Sequence, residues 1–282
     1  MVSGVARVRG GTLVLPQRRW LLWKGLRVLL TGSAFLLFWL LGVIVAWLIL
    51  PLVFALPRDN AARAQRRCRQ VISTGLHFFV GYMRLCRLIA FDRRSIRAQL
   101  PQGAFVLVAN HPTLIDVVLL LASYPSICCV AKGSLFSSLL IGPVLRLCGH
   151  IDAGDGGIQA GAGVGLGALE RLGRGDPVLI FPEATRSPPG GLGPFKGGAF
   201  RLASRAGVPL IPVHIQASPP ALMKGMPWYT VPDGTVRFEM AILQAFHPAV
   251  YGGDVKAFTA DVRALFERTA DASAGLALEK KE

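Results

Sequence analysis

The chain of 282 residues is 52% apolar, yet it carries 31 Lys and Arg against 16 Asp and Glu, for a formal net charge of +15. This length holds one large domain, or one domain with an appendage, around a sizeable core. A chain both apolar and basic points to a membrane surface carrying anionic lipid. Nucleic acid is not the expected partner, because 16 of the 31 basic side chains precede residue 98 around an apolar segment, and no zinc-finger spacing or RNA-binding aromatic motif occurs. The five cysteines, Cys68, Cys86, Cys128, Cys129 and Cys148, show no C-x-x-C pair and no ligand spacing. They read as reduced, buried thiols in a reducing compartment, with no metal site.

The N-terminal unit, residues 1–95, centres on the uncharged stretch from Val28 to Leu56. It is too long and too poorly terminated for a cleavable signal peptide. As a straight helix it would measure about 43 Å against a hydrocarbon core of roughly 30 Å, so it must tilt or break. Basic residues flank it on both sides, Arg18, Arg19, Lys24 and Arg27 before and Arg58, Arg63, Arg66, Arg67 and Arg69 after. This symmetry fits a re-entrant helical hairpin with both ends cytoplasmic better than a single span, and a tilted transmembrane helix is the alternative. Residues 61–91 mix arginines with Val71, Leu76, Phe79, Met83 and Leu88 and read as an amphipathic helix lying in the interface. His77 belongs to its apolar face as a packed histidine.

From residue 96 to 282, short β-rich runs alternate with helical stretches, the pattern of an α/β domain. The strands are expected at Ala104–Ala109, Ser126–Ala131, Pro177–Phe181, Leu210–Ile215 and Thr235–Ala241. The helices are expected at Leu114–Ser123, Ser134–Cys148, Gln159–Gly173, Ala199–Ala206 and Val255–Ala270. In such a sheet, ligands collect where strand ends lead into helices.

Two stretches with chemistry lie at such ends. The first is Asn110-His111-Pro112-Thr113-Leu114-Ile115-Asp116. Proline biases its predecessor away from the α region, so His111 should be extended while Pro112 and Thr113 open a helix. The ring can then fold back over the first turn toward Asp116, giving a base held by an orienting carboxylate. The second is Phe181-Pro182-Glu183-Ala184-Thr185-Arg186-Ser187. Arg186 so placed can grip a phosphate bidentately, with the hydroxyls of Thr185 and Ser187 and backbone N–H groups completing the cradle. Glu183 can orient that arginine or accept from a substrate hydroxyl. Each stretch alone also has a structural reading, as a helix-capping pair and a loop salt bridge.

Taken together, the chain resembles the lysophospholipid acyltransferase superfamily, of the 1-acylglycerol-3-phosphate acyltransferase type. Asn110-His111 through Asp116 match the family's N-H-x4-D block, and Phe181 to Ser187 match its F-P-E-G-T-R-S block with Ala184 in place of glycine. A middle block runs from Ala131-Lys132 to Gly149-His150-Ile151-Asp152, with Ala153 where the family has arginine, and Val208-Pro209-Leu210-Ile211-Pro212-Val213 matches the fourth. The resemblance implies a central, mostly parallel mixed sheet flanked by helices, with an N-terminal membrane-embedded helical segment. It also implies transfer of a fatty acyl group from an acyl-carrier protein or coenzyme A thioester to the free hydroxyl of a lysolipid. The expected acceptor is 1-acyl-glycerol-3-phosphate, giving phosphatidate. The thioester is a co-substrate, and no bound cofactor is expected. The implied site lies on the cytoplasmic face of the membrane, the inner membrane in a bacterium.

In that reading His111 is the general base, Asp116 sets its tautomer, and Glu183 and Arg186 hold the acceptor's head, with Lys132 and Lys196 as further positive charges. The chain has no G-x-S-x-G elbow, which favours direct attack by the lipid hydroxyl. Ala184 and Ala153 leave room for another acceptor, such as a lyso-amino-acid lipid of the ornithine type. A non-catalytic lipid-binding protein of the same fold is the rival from another class. The glycine pattern from Gly161 to Ala168 reads as close helix packing, His150 and His214 as buried partners or exposed polar groups, and Trp228 and Tyr229 as part of a flap or an interfacial loop.

Overall fold

A computed structural model describes residues 17–55, 60–92, 96, 98–154, 158–189 and 191–279. Its helices are α1 (Gln17–Ile44), α2 (Leu50–Phe54), α3 (Ala61–Leu85), α4 (Asp116–Ser123), α5 (Gly133–Phe136), α6 (Gly142–Leu147), α7 (Ile158–Gly173), α8 (Gly198–Ala206) and α9 (Val255–Glu279). The strands are β1 (Ile89–Phe91), β2 (Val106–Ala109), β3 (Cys128–Ala131), β4 (Ile151–Asp152), β5 (Val178–Ile180), β6 (Leu210–Ser218) and β7 (Val236–Ile242).

The seven strands form one sheet in the order β1-β7-β6-β2-β5-β3-β4. Every pairing is parallel except β6 with β7, which is the mostly parallel mixed sheet expected. Alternation along β2 explains how the sheet carries two cores. Leu107 and Ala109 face a core shared with α3 and α4, and Val106 and Val108 face one shared with α7, α8 and α9. Because β2, β3, β5 and β6 run the same way, the segments following them all emerge at one edge of the sheet. The antiparallel β7 begins at that edge, and so does β1.

Several expectations differ from what is observed. Residues 61–91 are not one interfacial helix: α3 ends at Leu85, and Ile89–Phe91 is an edge strand of the sheet, paired with β7. Arg87 takes a left-handed φ of 53°, and Leu88 N–H then donates to Met83 O, a helix stop usually carried by glycine. One face of α3 packs on the protein, with Cys68, Ser73, Phe79 and Met83 buried against its neighbours. Second, Ser134–Cys148 is two short helices. Pro143 has no N–H to continue a helix and suits a first turn, and a Cβ on Gly142 would lie 2.4 Å from Phe136 O. Third, α9 continues well past Ala270, starting from Asp254, whose Oδ1 accepts the N–H groups of Lys256 and Ala257.

The apolar stretch does not turn back within 28–56. A single helical rod from Trp20 to Phe54, 35 residues, is long and apolar enough to cross a membrane. Pro51 cannot donate, and the rod widens at Val45–Ile49, where Leu50 N–H reaches Val45 O. The helix that follows, α3, runs back along the rod. Cys68 Sγ lies 3.9 Å from Leu50 O, Phe79 packs on Phe38, and Tyr82 OH bonds Ser33 Oγ at 2.8 Å. The start of α1 and the end of α3 therefore lie near one another, in a pairing of α1 with α3 and not the re-entrant hairpin expected within 28–56. α3 is fastened to the sheet through buried Arg69, which donates to Cys148 O at 2.9 Å and pairs with buried Asp176 at 3.0 Å, while Arg66 takes the other Asp176 oxygen at 2.8 Å.

Candidate active site

The active edge is assembled around the end of β2. The Asn110 side chain takes over where the β2–β6 ladder stops: its Nδ2 donates to Ile215 O at 2.8 Å, and its Oδ1 accepts Ile215 N–H at 2.6 Å. That amide clasp releases the His111 backbone to turn toward the β5 loop. There His111 N–H faces Glu183 Oε1 at 3.1 Å and Ser187 Oγ at 3.3 Å, and His111 O accepts Ser187 N–H at 2.8 Å.

His111 and Asp116 meet as expected, by a slightly different local structure. Pro112 and Thr113 do not open the helix, which begins at Asp116 itself. Asp116 is fully buried and reaches backward, its Oδ2 accepting Thr113 N–H at 2.7 Å and its Oδ1 accepting the Thr113 hydroxyl at 2.5 Å. His111 Nδ1 lies 2.9 Å from the same Oδ2. A carboxylate that already accepts Thr113 N–H is an acceptor, so the Nδ1 proton points to it and Nε2 is left as the free base. Phe181 stacks on the imidazole with centroids 4.3 Å apart at 25°. Ring orientation is thus set by a carboxylate at one edge and an aromatic on one face.

The second block does a different job from the one anticipated for part of it. Glu183 is 3% exposed. Its Oε1 accepts the Ser187 hydroxyl at 2.7 Å besides His111 N–H, and its Oε2 accepts Gly193 N–H at 2.6 Å. It does not orient Arg186, and its lone pairs are committed to pinning two loops and the base's own backbone. Ser187 is buried with it. Arg186 is half-buried and donates Nη1 to Leu222 O at 3.3 Å and Met223 O at 3.1 Å. Leu222 O also accepts Leu114 N–H at 3.0 Å, so the arginine and the histidine loop share one anchor. Thr185 is exposed beside it. Ala184 sits at φ 57°, a left-handed conformation that suits the glycine of the family block and strains alanine.

The two lysines are on the same edge. Lys132 follows β3, two strands from β2, or about 10 Å by strand spacing. Lys196 is held beside the second block by its N–H on Pro182 O at 2.8 Å, and both side chains are exposed. Three residues without an assigned role in the sequence, Asn110, Thr113 and Phe181, turn out to build the base. All three lie inside the two blocks, so the blocks were the signal.

His111 opens into an apolar cavity of about 360 Å³. Its walls come from α1 (Phe35, Phe38), α3 (Phe79, Met83), α4 (Val118) and the β6–β7 connection (Trp228). Trp228 closes one side, packed on Phe35 at 5.8 Å and against the backbone of Gly32, where a Cβ would meet its ring at 3.4 Å. At the far end Arg27 is 3% exposed and donates to Pro232 O, Gly234 O and Arg87 O at 2.9, 2.7 and 3.3 Å. From β2 to β1 is three strand steps, about 14 Å, which is the lateral reach of the cavity from the histidine.

Among the described residues, the hydroxyls and thiols near the base are not poised as nucleophiles. The Thr113 and Ser187 hydroxyls are buried and donate to carboxylates. Burial pushes the Cys128 thiol up to about 11 and that of Cys129 up to about 12, far from thiolate reactivity at neutral pH. His150 is buried and neutral, pushed down to about 3 by burial and by Arg69 and Arg171, and its Nδ1 accepts Cys129 N–H at 2.9 Å. It caps a strand, and the burial of His214 likewise lowers its pKa.

The site is a base–carboxylate unit at the strand ends of an α/β domain, and residues 93–216 match the family model described as Acyltransferase. The segment is 32% identical over 113 residues to the chloroplastic 1-acyl-sn-glycerol-3-phosphate acyltransferase BAT2 of Brassica napus, covering 40% of this chain and 33% of that protein. It is 33% identical over 127 residues to the human 1-acyl-sn-glycerol-3-phosphate acyltransferase beta, covering 44% and 46%. The aligned segment spans about a third of the length of the first of these relatives and under half of the second. The crystal structure of the 1-acyl-sn-glycerophosphate acyltransferase PlsC from Thermotoga maritima superposes with a TM-score of 0.66 at 20% identity, over 90% of this chain and 98% of that one. The matched segment, residues 93–216, is thus similar to acyltransferases, and the relatives it aligns with are named as 1-acyl-sn-glycerol-3-phosphate acyltransferases.

Proposed function

We propose that the protein transfers a fatty acyl group from a coenzyme A or acyl-carrier-protein thioester to the free hydroxyl of a membrane lysolipid, with 1-acyl-glycerol-3-phosphate as acceptor and phosphatidate as product. The observation that carries this reading is the His111–Asp116 pair at the mouth of an apolar cavity. Nε2 of His111 removes the proton as the acceptor oxygen attacks the thioester carbon. A C–O bond forms, the C–S bond breaks, and the proton leaves with the thiol. Asp116, buried against Nδ1, stabilises the imidazolium in between. The cavity takes hydrocarbon, each buried methylene contributing about 0.8 kcal/mol. Arg186, with exposed Lys132 and Lys196 on the same edge, supplies positive charge for the acceptor phosphate.

We place the hairpin in one leaflet of the membrane. The α/β domain touches the rod from Trp23, whose Nε1–H reaches Asp233 O, to Trp47, whose Nε1–H reaches Leu139 O. That contact extends over about 36 Å of helix, more than the roughly 30 Å hydrocarbon core, so a perpendicular crossing would drag the sheet into lipid. A rod lying along the interface keeps the domain in water and brings the cavity to the acyl chains. The buried, unpaired thiols of Cys68, Cys128, Cys129 and Cys148 suit the cytoplasmic side. The test is a panel of lysolipid acceptors in vesicles with labelled acyl thioester. The expected result is acylation of 1-acyl-glycerol-3-phosphate above lysolipids with uncharged or amino-acid heads, and preference for an amino-acid lipid, which Ala153 leaves open, would overturn the assignment of the acceptor.

A further inference from the structure

Beyond the hairpin, the sheet domain has an apolar projection of its own. In the turn between α5 and α6, Leu139 is 72% exposed and Leu140 38%. Leu135 of α5 and Ile141 of the turn line the cavity, so the turn borders the cavity on one side and presents its leucines on the other. It is also rigid. Gly142 N–H donates to Ser138 O at 2.8 Å, Ser138 Oγ faces the N–H groups of Leu140 and Ile141 at 3.4 Å, and Arg146 bonds Phe136 O. Gly142 itself has no room for a Cβ. The two leucines are therefore held outward by a tightly bonded turn.

The turn is continuous with the lipid-facing side of the rod. Trp47, itself exposed, donates Nε1–H to Leu139 O at 3.1 Å. Leu48 and Leu52, both exposed, follow along the rod. That hydrogen bond satisfies the indole donor and the turn's carbonyl at once, as a hydrocarbon environment requires of any polar group carried into it.

Resting on the interfacial reading of the hairpin, we propose that Ser137–Ile141 is a second membrane contact, a wedge whose Leu139 and Leu140 enter the bilayer beside Trp47. The occupant is lipid. The wedge ends at the same apolar surface that the rod presents, and it parts the leaflet next to the cavity wall, where a lysolipid has to leave its neighbours. It acts on acceptor delivery, and neither leucine lines the cavity.

The test uses the full chain with Leu139→Cys carrying an environment-sensitive fluorophore, and Val250→Cys, on an exposed 3-10 turn outside the active edge, as the control. Vesicles of phosphatidylglycerol and phosphatidylcholine, with and without brominated acyl chains, are added, and flotation reports anchoring. The expected result is a blue shift and bromine quenching at 139 and neither at 250, in protein that floats. A second arm is the Leu139→Asp/Leu140→Asp variant, expected to lose about tenfold or more in kcat/KM for acceptor embedded in vesicles while keeping its rate on detergent-dispersed acceptor. Protein that floats with a wet probe at 139 overturns the wedge and leaves the hairpin reading standing. Protein that does not float overturns both. A probe that becomes buried without bromine quenching, as the chain dimerises, assigns the surface to a second copy and refutes the lipid contact.

Discussion

Glu183→Gln separates the role that the geometry gives this residue from the acceptor contact that its motif implies. The carboxylate holds three donors, His111 N–H, the Ser187 hydroxyl and Gly193 N–H, at 3.1, 2.7 and 2.6 Å. An amide has one oxygen, so in either orientation its NH2 faces a buried N–H. If it faces Gly193, that bond is lost, and if it faces His111, the base's own anchor is lost. One charge-assisted bond broken, with a buried donor stranded, costs about 3 kcal/mol. At roughly 2–4 °C per kcal/mol for a domain of this size, Tm falls by roughly 6–12 °C. The His111 backbone is displaced with it, and kcat should drop about tenfold or more while KM for the acceptor changes little. Thermal unfolding in detergent and acceptor-titrated kinetics read the two effects. An unchanged Tm with a raised acceptor KM would refute the reasoning and return Glu183 to the acceptor's head group.

Ala184 occupies a left-handed φ of 57°. Ala184→Gly should therefore raise stability by about 1 kcal/mol, read as a higher Tm, whereas Ala184→Val should lower it. His150 gives the chain an acid-sensitive limb. Its folded pKa, about 3, lies below the ordinary value of 6.5, so the unfolded chain binds the extra proton between those values. Stability is then full above about pH 6.5 and declines as pH falls, by about 2 kcal/mol at pH 5. Denaturant midpoints at pH 8 and pH 5 check this, and His150→Asn, which keeps an acceptor for Cys129 N–H and cannot titrate, should flatten the difference.

Much of the site was legible because its chemistry is local. His111 and Asp116 are five residues apart, and the bond between them needs only a proline-marked strand end and one turn. Five of the seven strands, β2, β3, β5, β6 and β7, were readable from their apolar runs. What escaped depends on distant partners or on non-glycine residues in glycine-like conformations. β1 was hidden because Arg87 ends α3 with a left-handed φ that nothing in its side chain advertises. Glu183 looked like a ligand-facing group because its partner Gly193 is ten residues away across a glycine- and proline-rich loop. Arg186 is pinned by carbonyls of Leu222 and Met223, thirty-six and thirty-seven residues on. The cavity draws on α1, α3, α4 and the β6–β7 connection, and only their assembly shows that Phe35 and Trp228 share a wall. The reversal expected within 28–56 gave way to a continuous rod reaching Phe54, because flanking charges say little about where a chain turns.

The central claim is that His111 activates the acceptor hydroxyl directly, with no acyl group passing through the protein. Thiol release from the acyl thioester, followed with and without lysolipid alongside intact-protein mass, tests it most directly. The account expects release only when acceptor is present, one thiol per acylated lipid, no mass gain on the protein, and a fall of about 10²–10⁴-fold for His111→Ala. Thiol release without acceptor, an acylated protein, or a His111→Ala variant at full rate would contradict it.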